Sequence, residues 1–280
     1  MDGSRGIPRV LTIAGSDSGG GAGIQADLKA FARCGTYGMT AITAITAQNT
    51  REVTAVQPIA PEVIVAQVRA VVDDIGVDAV KIGMLGDEPT ILAVQEALDL
   101  LPPSTPVVLD PVMVAESGAA LLDPAAGGAL VERLLPRVAV ATPNLLEAAA
   151  LAGARPDAEP EGLARAVHAL GPLAVVVTGG HRDDATDVFF DGERLESIPG
   201  ERFLDVATHG SGCTHSSALA AHLALGLAPL EAARCARAIA GEAVRHGLRD
   251  LGGGAGPVDA LELVSRAASE RPALCHNPGA

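Results

Sequence analysis

The sequence predicts an α/β fold: one domain over 9–268 with a central, mostly parallel sheet flanked by helices, followed by a loose tail at 269–280. Three observations carry this expectation. Short apolar runs without polar alternation recur along the chain, stretches of helical spacing separate them, and the two kinds take turns over the first 180 residues. Runs that are apolar on both faces suit parallel strands buried between helices. Strands taking turns with helices imply crossover units in one layered domain.

The strands are read at "RVLTIAG" (9–15), "TAITAIT" (40–46), "AVKIGM" (79–84), "PVVLD" (106–110), "VAVATP" (138–143) and "LAVVVTG" (173–179). Helical spacing fills 23–34, 61–74, 89–100, 125–135, 144–152 and 159–169, often behind a Pro, Asp or Asn that marks a helix start. After 179 the pattern changes. "TDVFFDGERLESIPG" reads as a hairpin turning at Asp191-Gly192, and helices at 212–225, 229–247 and 258–268 close the chain. Neither an internal repeat nor a linker divides it.

Composition removes several function classes. The net charge is −14 from 34 acids against 20 bases, and Lys29 and Lys81 are the two lysines, so an extended basic surface for nucleic acid is not expected. With no Trp, one Tyr and four Phe, platforms for stacking bases are not expected either. Apolar residues make up 48% of the chain. Even so, no run reaches the roughly 18 residues of a membrane span. The start "MDGSRGIPRVLTIAG" lacks an export signal, which reads as a cytoplasmic protein. Cys34, Cys213, Cys235 and Cys275 form no C-x-x-C pair, against a zinc site or a disulfide framework.

Ligands of parallel α/β sheets bind at the carboxyl ends of the strands, so the residues after each run matter most. "AGSDSGGGAGIQADLK" follows the first strand; its glycines allow close backbone approach to a ligand, or simply a flexible turn. It is neither a Walker A loop nor a dinucleotide fingerprint, which leaves a nucleotide-dependent oxidoreductase a poor fit. In "VATHGSGCTHSSALAAHLALG", the amides of Gly210, Ser211, Gly212 and Cys213 fall at a helix start, where unpaired N–H groups and the helix dipole favour an anion. The same field is expected to lower the Cys213 pKa, making it a base or nucleophile; the plainer reading is a small packing residue. Asp110 ends a strand, and Asn144 with Glu147 forms N-x-x-E, either a capping box or, with Asp110, a place for magnesium held largely through water. His181 and His209 read as local hydrogen-bonding residues and take no committed role.

"AGSDSGGGAGIQADLKAF", "TAQNT", "VKIGML", "LDPVMVAESG", "TPNLLEA" and "THGSGCTHSSALAAHLA", in this order over roughly 9–260, resemble the hydroxymethylpyrimidine and phosphomethylpyrimidine kinases of thiamine biosynthesis. These belong to the ribokinase-like superfamily, so the resemblance implies a three-layer sandwich. It also implies ATP and Mg2+ as cofactors, a small pyrimidine substrate and a homodimer. Gly15, Asp27 and Gln48 would hold the pyrimidine, with Met84 and Val112 against its ring. Cys213 would act as general base beside the anion hole of Gly210, Ser211 and Gly212, while Asp110, Asn144, Glu147 and Thr178 would serve ATP, Asp110 and Glu147 through the metal. Lys81 would support the charge balance or simply pair with an acid. Such kinases often carry Lys where Thr178 stands, so a charge associated there with nucleotide phosphates is missing. A pyridoxal kinase and a non-catalytic pyrimidine binder are the alternatives.

Overall fold

The computed structural model describes residues 6–115, 118–180, 185–204 and 207–265. The chain runs β1 (Arg9–Asp17), α1 (Gly23–Arg33), β2 (Tyr37–Gln48), β3 (Val53–Pro58), α2 (Pro61–Asp74), β4 (Ala79–Ile82), α3 (Glu88–Leu98) and β5 (Val107–Leu109). It continues through a short α4 (Gly127–Ala129), β6 (Val140–Ala141), α5 (Leu145–Ala152), α6 (Pro160–His168), β7 (Ala174–Val177), β8 (Asp187–Phe190), β9 (Leu195–Ile198), α7 (Ser211–Ala224) and α8 (Pro229–Arg245). The nine strands form one sheet in the order β3-β2-β1-β4-β5-β6-β7-β8-β9. The six strands from β2 to β7 in that order are mutually parallel; β3, β8 and β9 run antiparallel to their inner neighbours.

The strand side-chain period of two sorts the core into two layers. Val10, Val108, Val140, Val176 and Phe189 pack to one side with Phe31, Leu219 and Ala236, beneath α1, α7 and α8. Their neighbours Leu11, Leu109, Ala141, Val175 and Val188 pack to the other with Ile64, Ile91 and Leu163, beneath α2, α3, α5 and α6. The expected three-layer arrangement follows from that alternation.

Local chemistry explains most boundaries. Pro opens α2, α6 and α8, where its missing N–H leaves no helical bond unmade. The Asp87 carboxylate accepts the Thr90 amide at 3.0 Å to start α3. The hairpin turns where expected, with Asp191 accepting the amides of Glu193 and Arg194 at 3.1 and 2.7 Å.

Three expectations need correction. β3 has no counterpart among the sequence-read strands: nearly all of it is exposed, so only backbone pairing with β2 holds it and no apolar pattern betrays it. The helix read at 125–135 is a broken helical stretch over 124–137, tight at both ends and widened to a π turn at Leu130–Leu134, with Pro136 closing it. The helix read from 258 does not begin there. Val258 instead donates its amide to the His209 carbonyl at 3.0 Å, and the Asp259 carboxylate caps a later helical turn through the amides of Leu263 and Val264. Residues 266–280, including the tail read at 269–280, and His181 lie outside the described residues.

From β1 the chain moves outward to β2 and then returns to place β4 on the other flank of β1. The order therefore reverses between β1 and β4, which opens a crevice at the carboxyl ends of the strands. A bulge between Ala14 and Ser16 breaks the β1–β2 register at Gly15, at the rim of that crevice.

Candidate active site

A cavity of about 530 Å³ occupies the crevice. Of the thirteen site residues expected from sequence, twelve line it: Gly15, Gln48, Met84 and Val112; Asp110, Asn144, Glu147 and Thr178; and Gly210, Ser211, Gly212 and Cys213. The first four come from the ends of β1, β2, β4 and β5 and give an apolar slot with one amide side chain. A Cβ on Gly15 would lie 2.6 Å from Met84 Cε, so glycine is what lets the thioether sit against the strand.

The thirteenth residue, Asp27, is not on the wall. It is fully buried behind it, where its carboxylate accepts Lys81 Nζ at 2.9 and 3.1 Å, Thr12 Oγ1 at 2.6 Å and Ser217 Oγ at 2.7 Å. Direct reading of a ring by Asp27 is therefore not what the geometry offers; the carboxylate anchors Lys81, which itself reaches the cavity wall. Burial works against charge on Lys81, but Asp27, Cys213 and Asp110 outweigh it and leave the ammonium above its ordinary pKa. The pairing of Lys81 with an acid, left open by the sequence, is thus observed.

α7 enters the site over the middle of the sheet, packed on β1, β4 and β5. Its N-cap is Gly210, at φ 83°, and the helix begins at Ser211. The Ser211 amide is already given to the Thr208 carbonyl at 3.0 Å. Helix geometry leaves the Gly212 and Cys213 amides as the open donors of the first turn, so not all four amides expected at this helix start are free to meet an anion. One turn on, Ser216 Oγ donates to Asp110 Oδ2 at 3.0 Å and ties the acid to the helix.

The expected low pKa of Cys213 is corrected. Burial pushes the thiol up to about 12, and Asp27 and Asp110 add to this, outweighing Lys81 and the Gly23 amide. A helix terminus alone does not make a thiolate when two carboxylates share the surroundings.

The capping box exists: Asn144 Oδ1 accepts the Glu147 amide at 3.0 Å, and Glu147 Oε2 accepts the Asn144 amide at 2.9 Å. The capping reading of N-x-x-E is thus observed, and the same Glu147 also lines the cavity. Burial and then Asp110 raise the Glu147 pKa to about 8. Burial likewise raises Asp110, against the pull of Lys81 and Ser216. Two buried carboxylates held above their ordinary range, Glu147 partly by Asp110, mark a place short of positive charge.

The glycine-rich loop serves itself as much as any ligand. Asp17 collects the amides of Gly19, Gly21 and Ala22 at 2.8, 3.0 and 2.9 Å and lies 3.0 Å from His209 Nε2. Burial raises its pKa, but His209 and those amides prevail and hold it below the usual carboxylate range. The local role read for His209 is borne out; Asp17, which also lines the cavity, was not singled out, although an acid ahead of a run of glycine amides is a visible signal.

A second group on the wall also escaped the sequence: Asp187 from β8, His215 from α7 and Arg237 from α8. Asp187 Oδ1 accepts the Gly179 amide at 2.8 Å, Oδ2 lies 3.2 Å from His215 Nε2, and Arg237 Nη2 donates to the Ala185 carbonyl at 2.5 Å. Nothing in the spacing of three residues so far apart marks them as neighbours.

A family model described as phosphomethylpyrimidine kinase matches residues 17–259. The hydroxymethylpyrimidine/phosphomethylpyrimidine kinase of Rhizobium meliloti is 50% identical over 254 residues, covering 89% of this chain and 95% of that protein. Among solved structures, the pyridoxal kinase of Staphylococcus aureus in complex with AMP-PCP and pyridoxal superposes with a TM-score of 0.84 at 34% identity, over 93% of this chain and 96% of that one. The phosphomethylpyrimidine kinase of Clostridium difficile does so at 0.73 and 40% identity, over 82% and 96%. With its crossover sheet, its cavity and these matches taken together, the chain belongs to the phosphomethylpyrimidine kinase family.

Proposed function

We propose that this chain transfers the γ-phosphoryl group of ATP to the hydroxymethyl oxygen of 4-amino-5-hydroxymethyl-2-methylpyrimidine, and then phosphorylates the resulting monophosphate to the diphosphate, in thiamine biosynthesis. The observation that carries this reading is the convergence of an open helix terminus, a thiol and two charge-starved carboxylates on one cavity with a ring-sized apolar slot. Gly15, Gln48, Met84 and Val112 would hold the ring, and Gln48 can both donate and accept toward an aminopyrimidine. The Gly212 and Cys213 amides would stabilise charge on the transferring group. Transfer of this kind asks for positioning and electrostatics more than covalent help.

Asp110 and Glu147 fit magnesium. Both are oxygen donors, both are buried with raised pKa values, and Asp110 adds to the burial that raises Glu147. Among the described residues no third His, Cys, Asp or Glu joins them, so water and phosphate oxygens would complete the shell. Bound there, magnesium would neutralise phosphate charge. Protons compete for Glu147 below its pKa of about 8. Magnesium without nucleotide is therefore expected to raise the melting temperature more at pH 9 than at pH 6.5. An equal shift at both values, or a larger one at pH 6.5, would detach Glu147 from the metal.

Cys213 is protonated at neutral pH in the free protein, given a pKa of about 12. If its thiolate is the general base, kcat rises about tenfold per pH unit between pH 7 and 9, and Cys213→Ala lowers it by about 10²-fold. A flat profile together with an alanine variant within twofold of the parent removes Cys213 from proton transfer.

The pyridoxal kinase reading is favoured by the superposition on a pyridoxal-bound kinase, since pyridoxal too carries a ring and a hydroxymethyl group. ADP release with Mg-ATP and each of hydroxymethylpyrimidine, its monophosphate and pyridoxal separates the two. Turnover of both pyrimidines is the expected result; turnover of pyridoxal alone would replace this reading by the second. No helix among the described residues is long and apolar enough to cross a membrane. We infer a cytoplasmic homodimer on the strength of the family resemblance; light scattering giving the monomer mass would refute the assembly.

A further inference from the structure

The cavity wall is short of positive charge for a polyphosphate. Its lining carries five carboxylates (Asp17, Asp110, Glu147, Asp187 and Glu201) against Lys81, Arg202 and Arg237. Lys81 is committed to Asp27 at 2.9 Å, and Thr178, at the end of β7, offers a hydroxyl and no charge. Arg202 is exposed. Arg237 differs from both. Its side chain is 12% exposed, and its Nε has no hydrogen-bond partner, 3.9 Å from Asp187 Oδ1.

The unmet bonding does not stop at Arg237. His215 is buried, and neither ring nitrogen makes a well-formed hydrogen bond; Asp187 Oδ2, beside it, is likewise unsatisfied. Buried polar groups left open at one cavity wall call for a partner that enters from the cavity. Asp187 is held in place by the Gly179 amide, so it can orient His215 through Nε2 and leave Nδ1 for a ligand. On α8, Arg237, Ala240, Gly241 and Val244 all line the cavity, at the i, i+3, i+4, i+7 spacing of one helix face. One charged residue thus sits at one end of an otherwise small and apolar stripe. That sequence of surfaces suits a ligand with an anionic end and a flat apolar end. The anionic end would lie toward α7, whose open amides face the same space.

Resting on the kinase reading, we propose that Arg237 and His215, braced by Asp187, contact the phosphate oxygens of the bound nucleotide and supply the charge that Thr178 does not. Calorimetric titration of ATP, ADP and adenosine, without acceptor substrate, tests this on the parent protein and on Arg237→Gln, Arg237→Lys and His215→Gln. Charge-assisted contacts predict that Arg237→Gln weakens ATP and ADP by roughly tenfold to a hundredfold while adenosine changes less than twofold. Arg237→Lys is expected to retain most of the affinity, and His215→Gln to weaken ATP with adenosine unchanged. Equal losses for ATP and adenosine, or none for either, would overturn the assignment and leave Arg237 a clamp on Ala185. Should Arg237→Gln fail to fold, the lysine and His215 variants decide by the same comparison. If the parent protein binds adenosine and no phosphorylated form more tightly, this proposal falls. If it binds no adenine nucleotide at all, the kinase reading falls with it.

Discussion

Gly210→Ala is expected to lower kcat by about 10²- to 10³-fold, the range for losing aligned donors in a transition-state anion hole. Gly210 sits at φ 83°, where an L side chain is strained, and its Cβ would stand 1.8 Å from the Gly21 carbonyl oxygen. That obstacle is backbone, so no rotamer change relieves it. The entry to α7 must shift, and the Gly212 and Cys213 amides shift with it; displacements on the order of 1 Å are enough for a 10²-fold effect. Gly212→Ala is the control for folding. A Cβ there meets only Asp110 Oδ2, at 3.9 Å, so its melting temperature should stay near that of the parent. Steady-state kinetics alongside thermal melts separate the two effects. A Gly210→Ala protein with kcat within threefold of the parent would show that the helix entry is not what holds the transferring group.

Sequence carried most of the architecture because five of the six parallel strands, β1 and β4 to β7, are buried on both faces, and burial writes apolar runs. β3 lacked that signature for a physical reason: an exposed antiparallel edge is held by backbone bonds that any side chain permits. The cavity residues were legible where a strand end or helix start displays them, as with Glu147 in its capping box and Gly210 at the mouth of α7. Legibility failed where the environment decides. Asp27 reads as a polar residue behind a glycine loop, yet its helix faces the sheet and delivers the carboxylate to Lys81, 54 residues on. Cys213 reads as a thiol in a positive helix field, but burial in the folded cavity wall, with carboxylates from other elements adding to it, raises its pKa instead. Asp187, His215 and Arg237 meet only because β8, α7 and α8 share a corner of the fold.

The Lys81–Asp27 pair should be the most sensitive point for stability. Both side chains are fully buried, and Asp27 is further held by Thr12 and Ser217, so the charges are compensated but cannot reach water. Removing one partner of such a pair leaves the other uncompensated, at about 3–5 kcal/mol. For Lys81→Met that corresponds to a fall in melting temperature of roughly 10 °C in a chain of this size. The damage should reach the chemistry too. Lys81 opposes the burial that raises both Asp110 and Cys213, so without it both move further from their charged forms. Adding Asp27→Asn to Lys81→Met removes the stranded charge while keeping a group that can answer Thr12 and Ser217, and should recover part of the lost stability. The coupling in this double-mutant cycle is then expected to exceed about 1 kcal/mol, well above the 0.3–0.5 kcal/mol typical of independent sites. Additive losses would mean that the buried charges do not depend on each other, and that Lys81 is placed at the wall for the cavity alone.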